Sequence, residues 1–254
     1  MCMMGCLMAC QEVEVPQAED SHVTFSLSSN GGMDISRAQT TVEAPTTLFL
    51  TAYKNGEVYK EEAVLFNPAE NNKSVQWTMS ANQYRFDLVN YKVEDEIYKV
   101  ADGRGLPYYY ATHTEILEKG KAFTIPLTAT VQNSKLSIVY VDGFNVLENC
   151  TTVAYLADKA GRKIQFPANS DPGPAWFPDG SRLVPELTYT YNGISKKNVY
   201  SNALSKIAPD GVMQPAHWYN ITLTPTVAQG NITISVSSAV EQIDGNITVD
   251  PKAQ

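Results

Sequence analysis

The sequence alternates apolar and polar residues over short stretches along almost its whole length. This alternation has a period of two residues and is typical of β-strands with one buried face. It occurs about seven times before residue 128, beginning with Val23, Phe25 and Leu27. No stretch has the 3.6-residue period of an amphipathic helix, and only residues 202–208 are predicted to form a short helical turn. The chain is therefore predicted to be an all-β protein.

Two Asn-Gly pairs separate runs of this kind. Asn55-Gly56 and Asn192-Gly193 each lie between two alternating stretches. Both residue types tolerate the positive φ angles of a type I′ turn, so each pair predicts a β-hairpin. The close spacing of these and other turns favours antiparallel β-sandwiches.

The length of the chain favours two domains. Its 254 residues exceed the usual size of a single domain, about 100–150 residues. The alternating pattern restarts near residue 133, and residues 128–133 contain no long flexible linker. We therefore expect two adjoining sandwiches, at residues 22–128 and 129–254, which follow an N-terminal segment at residues 1–21.

Charge excludes two classes of partner. The chain has 19 Lys and Arg against 27 Asp and Glu, which gives a net charge of −8. An acidic surface repels the phosphates of nucleic acid, so no nucleic-acid partner is expected. It also lacks the basic patch that holds proteins on anionic lipids.

No run of 18 or more apolar residues occurs, so no membrane-spanning helix is predicted.

Leu7, Met8, Ala9 and Cys10 form a short motif near the N-terminus. It resembles a bacterial lipobox, in which signal peptidase cuts before the cysteine and its sulfur then carries a diacylglycerol. The small Ala9 suits the narrow pocket of such a peptidase, but no Lys or Arg precedes Cys10 to form a basic signal region. We expect lipidation at Cys10, followed by a polar tether; the alternative is an N-terminus without a function.

No motif for catalysis or metal binding is apparent. His22, His113 and His217 are far apart, so no zinc-binding spacing occurs. Glu94-Asp95-Glu96 is a cluster of carboxylates that could include the catalytic pair of a glycosidase. Neighbouring residues in a strand point to opposite faces, however, so a solvated surface is the favoured interpretation. Cys150 has no His near it in the sequence and is interpreted as a small buried strand residue. We therefore expect no enzyme activity, no cofactor and no metal.

One aromatic pair stands out as a candidate binding site. Trp176 and Phe177 lie in the segment DPGPAWFPDG, which is rich in Pro and Gly. Aromatic side chains on a rigid loop can stack on sugars or anchor a protein partner. The alternative is that the loop folds its Trp back and plugs the end of a sandwich.

Two longer stretches resemble a known family. They read YYYATHTEILEKGKAFTIPLTATVQNSKLSIVYVDGF and LTYTYNGISKKNVYSNALSKIAPDGVMQPAHWYNITLTPTVAQGNITISV. Both are similar to an uncharacterised family of surface lipoproteins from Gram-negative anaerobes, within the fimbrillin-like (type V pilin) superfamily. The resemblance covers most of residues 20–250. It implies two transthyretin-like, Greek-key β-sandwiches, a lipid anchor in the outer membrane, and a role in pili or adhesion.

The resemblance also implies a role for Arg37-Ala38. In fimbrillins a trypsin-like protease cuts after an arginine in this region, which frees the first strand and opens a groove for a strand of the next subunit. Gly31-Gly32 before the pair and a polar run after it predict an accessible loop. The alternative is an ordinary connecting loop with a solvated arginine.

Two functions remain after these exclusions. The first is a non-catalytic structural or adhesive subunit of fimbrial type at the cell surface, which joins other subunits by strand addition. The alternative is a monomeric glycan-binding surface lipoprotein of a nutrient-uptake system, with host or dietary glycans as its ligands.

Overall fold

A computed structural model describes residues 20–30, 46–66, 72–158, 162–229 and 231–243. Strands dominate this part of the chain, which confirms the predicted all-β fold. The strands are β1 (Ser21–Asn30), β2 (Thr47–Lys54), β3 (Glu57–Leu65), β4 (Asn72–Met79), β5 (Gln83–Val89), β6 (Tyr109–Ile116), β7 (Ala122–Val131), β8 (Asn133–Tyr140), β9 (Glu148–Leu156), β10 (Lys163–Pro167), β11 (Ala175–Pro178), β12 (Leu183–Tyr191), β13 (Ile194–Val199), β14 (His217–Ala228) and β15 (Asn231–Gln242). A single helical turn, α1 (Glu94–Ile97), precedes β6, and 3-10 turns lie at Phe144–Val146 and Pro209–Gly211.

The local turn predictions are confirmed. Asn55 and Gly56 join β2 to β3 with φ angles of 54° and 85°, and Asn192 and Gly193 join β12 to β13 with φ angles of 50° and 72°. Residues 202–208 form a series of turns, which include a helical hydrogen bond of 2.9 Å from the N–H of Ala208 to the carbonyl of Leu204.

The first seven strands form one sheet that folds over on itself. Their order is β3-β2-β5-β6-β7-β1-β4. β6 and β7 share only two residue pairs, Tyr109–Val131 and Tyr110–Thr130, so the sheet bends sharply where they meet. As a result β3-β2-β5-β6 packs face to face against β7-β1-β4. The inward side chains of both layers form the core, with Leu48, Leu50, Ala52, Tyr84, Phe86 and Leu88 on one side and Val23, Phe25, Leu27, Val75, Trp77, Ile125 and Leu127 on the other.

The later strands form two separate sheets that pack as a second sandwich. Their orders are β10-β9-β12-β13 and β11-β8-β14-β15. The Tyr140 hydroxyl of β8 links the two sheets. It donates a hydrogen bond of 2.5 Å to the carbonyl of Phe166 in β10 and accepts one of 2.9 Å from the N–H of Thr152 in β9.

Two strand pairs depart from the antiparallel arrangement. β1 lies parallel to β7, and β8 lies parallel to β14. In each half, the strand that begins the half therefore pairs parallel with a strand from near its end. All other strand pairs among the described residues are antiparallel.

The two halves are joined tightly. Only Gln132 separates β7 from β8. Trp176, Trp218 and Ile243 from the later half pack into the core of the first half. The expected domain boundary after residue 128 lies within β7, and the division into two domains stays a prediction.

Candidate functional site

β1 lies inside its sheet, between β4 and β7. It pairs antiparallel with β4 over residues 21–28 and parallel with β7 over residues 22–30. Both of its edges are therefore hydrogen bonded, although it is the first of the described strands. Removing β1 would separate β4 from β7 and leave an unpaired edge on each.

The inward side chains of β1 fill the centre of the first core. Val23 is 1 % exposed, and Phe25 and Leu27 are fully buried. The Phe25 ring packs at 5.0 Å against both Trp77 and Phe86, measured between ring centroids. We call the space between β4 and β7 that these three side chains occupy the β1 slot.

Emptying the β1 slot would be costly. Burial of one Val, Leu or Phe side chain stabilises a fold by about 1.5–3 kcal/mol, so the three together contribute roughly 5–9 kcal/mol. The net stability of a whole domain is about 5–15 kcal/mol. A protein that loses β1 therefore needs another strand in the slot to remain stable.

The two ends of β1 are held by polar contacts. The Ser21 hydroxyl donates a hydrogen bond of 2.6 Å to the carbonyl of Glu118, and the N–H of His22 donates one of 3.0 Å to the carbonyl of Lys121. Near the other end, the hydroxyls of Ser28 and Thr128 lie 2.9 Å apart on the solvent side. These contacts fix the register of β1 against the turn between β6 and β7 and against β7 itself.

A contact between the layers closes the sandwich beside the slot. The indole N–H of Trp77 in β4 donates a hydrogen bond of 2.7 Å to the carboxylate of Glu62 in β3. The ammonium of Lys60 lies 4.8 Å above the Trp77 ring. These groups tie the outermost strand next to the slot to the opposite layer.

Two of the predicted sites lie outside the described residues. They are the lipidation site Cys10 and the cleavage pair Arg37-Ala38. Residues 31–46 connect β1 in one layer to β2 in the other. A cut after Arg37 would therefore disconnect β1 from the rest of the chain, and both site assignments stay predictions.

Trp176 and Phe177 are buried in β11. Trp176 is 6 % exposed and Phe177 is fully buried. The N–H of Trp176 donates a hydrogen bond of 2.7 Å to the carbonyl of Arg104 in the first half. This position matches the alternative in which the loop folds its Trp back into the protein. Ligand binding by these two residues stays a prediction, and it would require the rings to leave their present positions.

Arg162 joins the two halves and was not found by sequence analysis. Its guanidinium donates hydrogen bonds to the carbonyls of Tyr98 (2.7 Å), Arg104 (3.0 Å) and Trp176 (2.6 Å). Burial lowers the pKa of Arg162 to about 10. Because these partners are distant in sequence, no local pattern marks the residue.

Lys135 is a second buried cation at the junction. It lies in β8, directly opposite Trp176 of β11 on one side and Trp218 of β14 on the other. Its ammonium is 4.1 Å from the Trp218 ring centroid and 6.0 Å from that of Trp176. Burial lowers the pKa of Lys135 to about 8, against the opposing effect of the Glu241 charge. The sequence alone does not show that Lys135 lies between the two tryptophans, because their proximity depends on how β8 pairs with β11 and β14.

Cys150 and His113, the remaining reactive side chains considered among the described residues, are not arranged as an activated nucleophile. Burial raises the pKa of the Cys150 thiol to about 11, so the thiol stays protonated at neutral pH. His113 and Glu115 form a partly exposed pair at 3.2 Å, and the hydrogen bond from His113 lowers the pKa of Glu115. Within the described ranges, no group of three or more His, Cys, Asp or Glu side chains is placed to hold a metal ion.

Among the residues that the structure describes, no helix is long and apolar enough to cross a lipid bilayer.

Comparison with known proteins identifies both a family and a fold. The profile of a family described as Domain of unknown function (DUF4493) matches residues 70–251. No curated protein matches the chain. One similar solved structure is the tip fimbrial protein Mfa3 from Porphyromonas gingivalis with C-terminal truncation, which is 9 % identical with a TM-score of 0.51, over 88 % of this chain and 99 % of that one.

Two further structures share the fold, each named "putative cell adhesion protein". The one from Parabacteroides distasonis is 9 % identical with a TM-score of 0.51, over 90 % of this chain and 100 % of that one. The one from Bacteroides uniformis is 15 % identical with a TM-score of 0.50, over 87 % and 98 % of the two chains. At such low identities the similarity establishes the fold alone.

Proposed function

The chain belongs to the DUF4493 family, and we propose that it is a non-catalytic structural or adhesive subunit of fimbrial type at the cell surface. Its fold is shared with a tip fimbrial protein and with proteins assigned to cell adhesion. These relatives support an adhesive role and do not favour the alternative of a monomeric glycan-binding lipoprotein.

The β1 slot is the observation that carries the proposal. β1 is the first described strand, yet it is paired on both edges and contributes three side chains to the core. An internal strand of this kind can be replaced by a strand from another chain with the same alternation of side chains. Such strand addition combines main-chain hydrogen bonds, which give affinity, with side-chain pockets, which give specificity.

In this proposal, cleavage after Arg37 disconnects β1 from the rest of the chain, and a strand of another fimbrial subunit then displaces it. The incoming strand would supply apolar side chains at the positions of Val23, Phe25 and Leu27. The slot would then hold the two subunits together, since its apolar walls and two open edges are covered only when it is filled.

We also propose a lipid anchor at Cys10 in the outer membrane. One acyl chain binds a membrane only marginally, whereas the several chains of a bacterial lipoprotein hold firmly. Mass spectrometry of protein purified from cells is expected to show an acylated Cys10 at the mature N-terminus. An unmodified mature N-terminus would contradict the anchor without affecting the slot.

Limited trypsin digestion of the folded chain tests the slot. We expect the first cut after Arg37, a remainder that stays folded with β1 bound, and oligomers once β1 is displaced. The Arg37→Gln variant, treated identically, is the control and is expected to form no oligomers beyond those of the untreated chain. Resistance of Arg37 while other sites are cut, or a trimmed protein that stays monomeric, would contradict this route of assembly.

A peptide experiment tests the specificity of the slot. A labelled synthetic peptide of residues 21–30 is expected to bind the cleaved protein in exchange for its own β1. The matched peptide with Phe25→Asp is expected not to bind, because a carboxylate in the Phe25 site would be buried without a partner. Equal binding of both peptides would show that the slot is not the binding site.

A further inference from the structure

β15 forms an open edge of the later sandwich. It is 12 residues long and pairs with β14 on one side only. Among the described residues, no other segment hydrogen bonds to its outer edge. A long strand of this kind presents a row of free N–H and C=O groups to a partner.

The other outermost strands carry features that discourage pairing. Proteins protect sheet edges with charges, with proline and with short strands. These features are Glu57, Lys60, Glu61 and Glu62 in β3, Lys73 in β4, Lys163 and Pro167 in β10, Pro178 in the four-residue β11, and Lys196 and Lys197 in β13. β15 contains no Lys, Arg or Pro, and its one charged residue is Glu241, next to its end.

The side chains of β15 leave apolar area to be covered. Ile234, Val236 and Val240 point toward the opposite sheet but are only half-buried. The exposed residues between them are small and uncharged, as at Ser235 and Ser237. A strand placed alongside β15 would cover the three half-buried apolar side chains, and it would meet no charge among the exposed residues between them.

We propose that β15 pairs antiparallel with β15 of a second copy of the chain. A two-fold axis at Ser237 places Ile234 opposite Val240 and Glu241 opposite Thr233. In this register no two like charges lie opposite each other. The β-branched side chains of Ile234 and Val240 lie opposite each other, and such cross-strand pairs stabilise a sheet. The two four-stranded sheets become one continuous sheet across the dimer.

The dimer is expected to be weak. Twelve residues of strand are about 40 Å long, and one layer of a sandwich is about 10 Å thick. The contact therefore buries roughly 800 Å² in total, which is typical of transient association.

A lysine beside β15 opposes the dimer. A cavity of about 430 Å³ is lined by Lys206 and other residues of the segment 199–206 on one side and by residues 236–238 of β15 on the other. Pairing of two copies around Ser237 thus brings the two Lys206 side chains toward each other. Salt screens this repulsion, so the dimer is expected to strengthen as ionic strength rises.

Sedimentation equilibrium of the full, uncleaved chain tests the proposal. We expect reversible dimerisation in the micromolar range, a loss of at least tenfold in affinity for Ser237→Lys, and no change for Thr224→Lys. Thr224 is the matched control because it lies opposite Ser235 on the neighbouring β14, away from the edge. A monomer at every concentration, or a dimer that Ser237→Lys leaves intact, would overturn the proposal.

A cross-linking variant tests the register separately. With the axis at Ser237, the two Ser237→Cys side chains lie directly opposite, with Cβ atoms about 4.5 Å apart, at the upper end of the range of about 3.5–4.5 Å over which a disulfide can form. Peptide mapping under mild oxidation is expected to show this position linked to itself. A dimer without this link would overturn the two-fold pairing at Ser237. Because β1 remains in place throughout, neither result depends on the β1 slot.

Discussion

Phe25 in β1 and Phe86 in β5 pack edge to face with their ring centroids 5.0 Å apart, although β6 and β7 lie between their strands in the sheet. The contact is possible because the sheet folds over where β6 and β7 meet. Through this one ring β1 contacts both layers of the first sandwich, since Phe25 also packs against Trp77 of β4 in its own layer.

The Phe25→Ala variant is expected to lose about 3–5 kcal/mol of unfolding free energy, because it leaves a cavity between the two layers. Urea denaturation measures the loss. Ser26→Ala changes an exposed residue of the same strand and is expected to cost less than 1 kcal/mol. Similar losses for both variants would contradict the central position of Phe25.

The Arg162→Met variant is expected to destabilise the protein by about 2–4 kcal/mol, because three carbonyls at the junction lose their donor. Lys163→Met removes a charge from the neighbouring exposed residue and serves as the control. The urea midpoint is expected to fall for the first variant alone. An unchanged midpoint for Arg162→Met would show that water replaces these hydrogen bonds.

Lys135→Met is expected to stabilise the protein at pH 7 and to do so less as the pH rises. Lys135 has a folded pKa of about 8, whereas an unfolded lysine titrates near 10.4. Between these values the unfolded chain binds more protons, so the stability of the unsubstituted protein rises with pH in this window. Below pH 8 the Lys135 ammonium stays charged in the folded protein, so the unsubstituted protein bears the full free-energy cost of burying it.

The gain at pH 7 is expected to be about 1–3 kcal/mol, since the Trp176 and Trp218 rings offset part of the burial cost. Thermal unfolding of both proteins at several values between pH 7 and pH 10 measures the difference. Lys121→Met at an exposed site controls for the loss of one charge. A constant difference between the protein and Lys135→Met over this range would contradict the prediction.

Gly143→Ala is expected to cost more than Gly173→Ala. Both glycines have positive φ angles, 107° and 75°, so both substitutions strain the backbone. A Cβ at Gly143 would also lie 3.0 Å from the Cγ of Pro225, whereas nothing lies within 4 Å of one at Gly173. We expect losses of about 2–3 and about 1 kcal/mol, measured by urea denaturation. Equal losses would show that Pro225 moves aside freely.

Much of the local structure could be predicted from the sequence. The alternation of Val23, Phe25 and Leu27 marks a strand and its buried face, and Asn55-Gly56 and Asn192-Gly193 mark two hairpins. These features depend on neighbours in the chain, because side-chain direction has a period of two and a type I′ turn requires particular residues.

Local sequence patterns therefore specify the strands, their buried faces and the tight turns, whereas long-range contacts select which strands become neighbours. A strand can form the same backbone hydrogen bonds with any partner strand. The alternation of apolar and polar residues therefore does not predict that β1 pairs parallel with β7 or that β8 lies between β11 and β14. Long-range packing selects those pairs. Long-range packing explains why Lys135 lies between Trp176 and Trp218 and why β1 lies between β4 and β7. It also explains why Trp176, which was predicted to lie in a loop, is buried in the core.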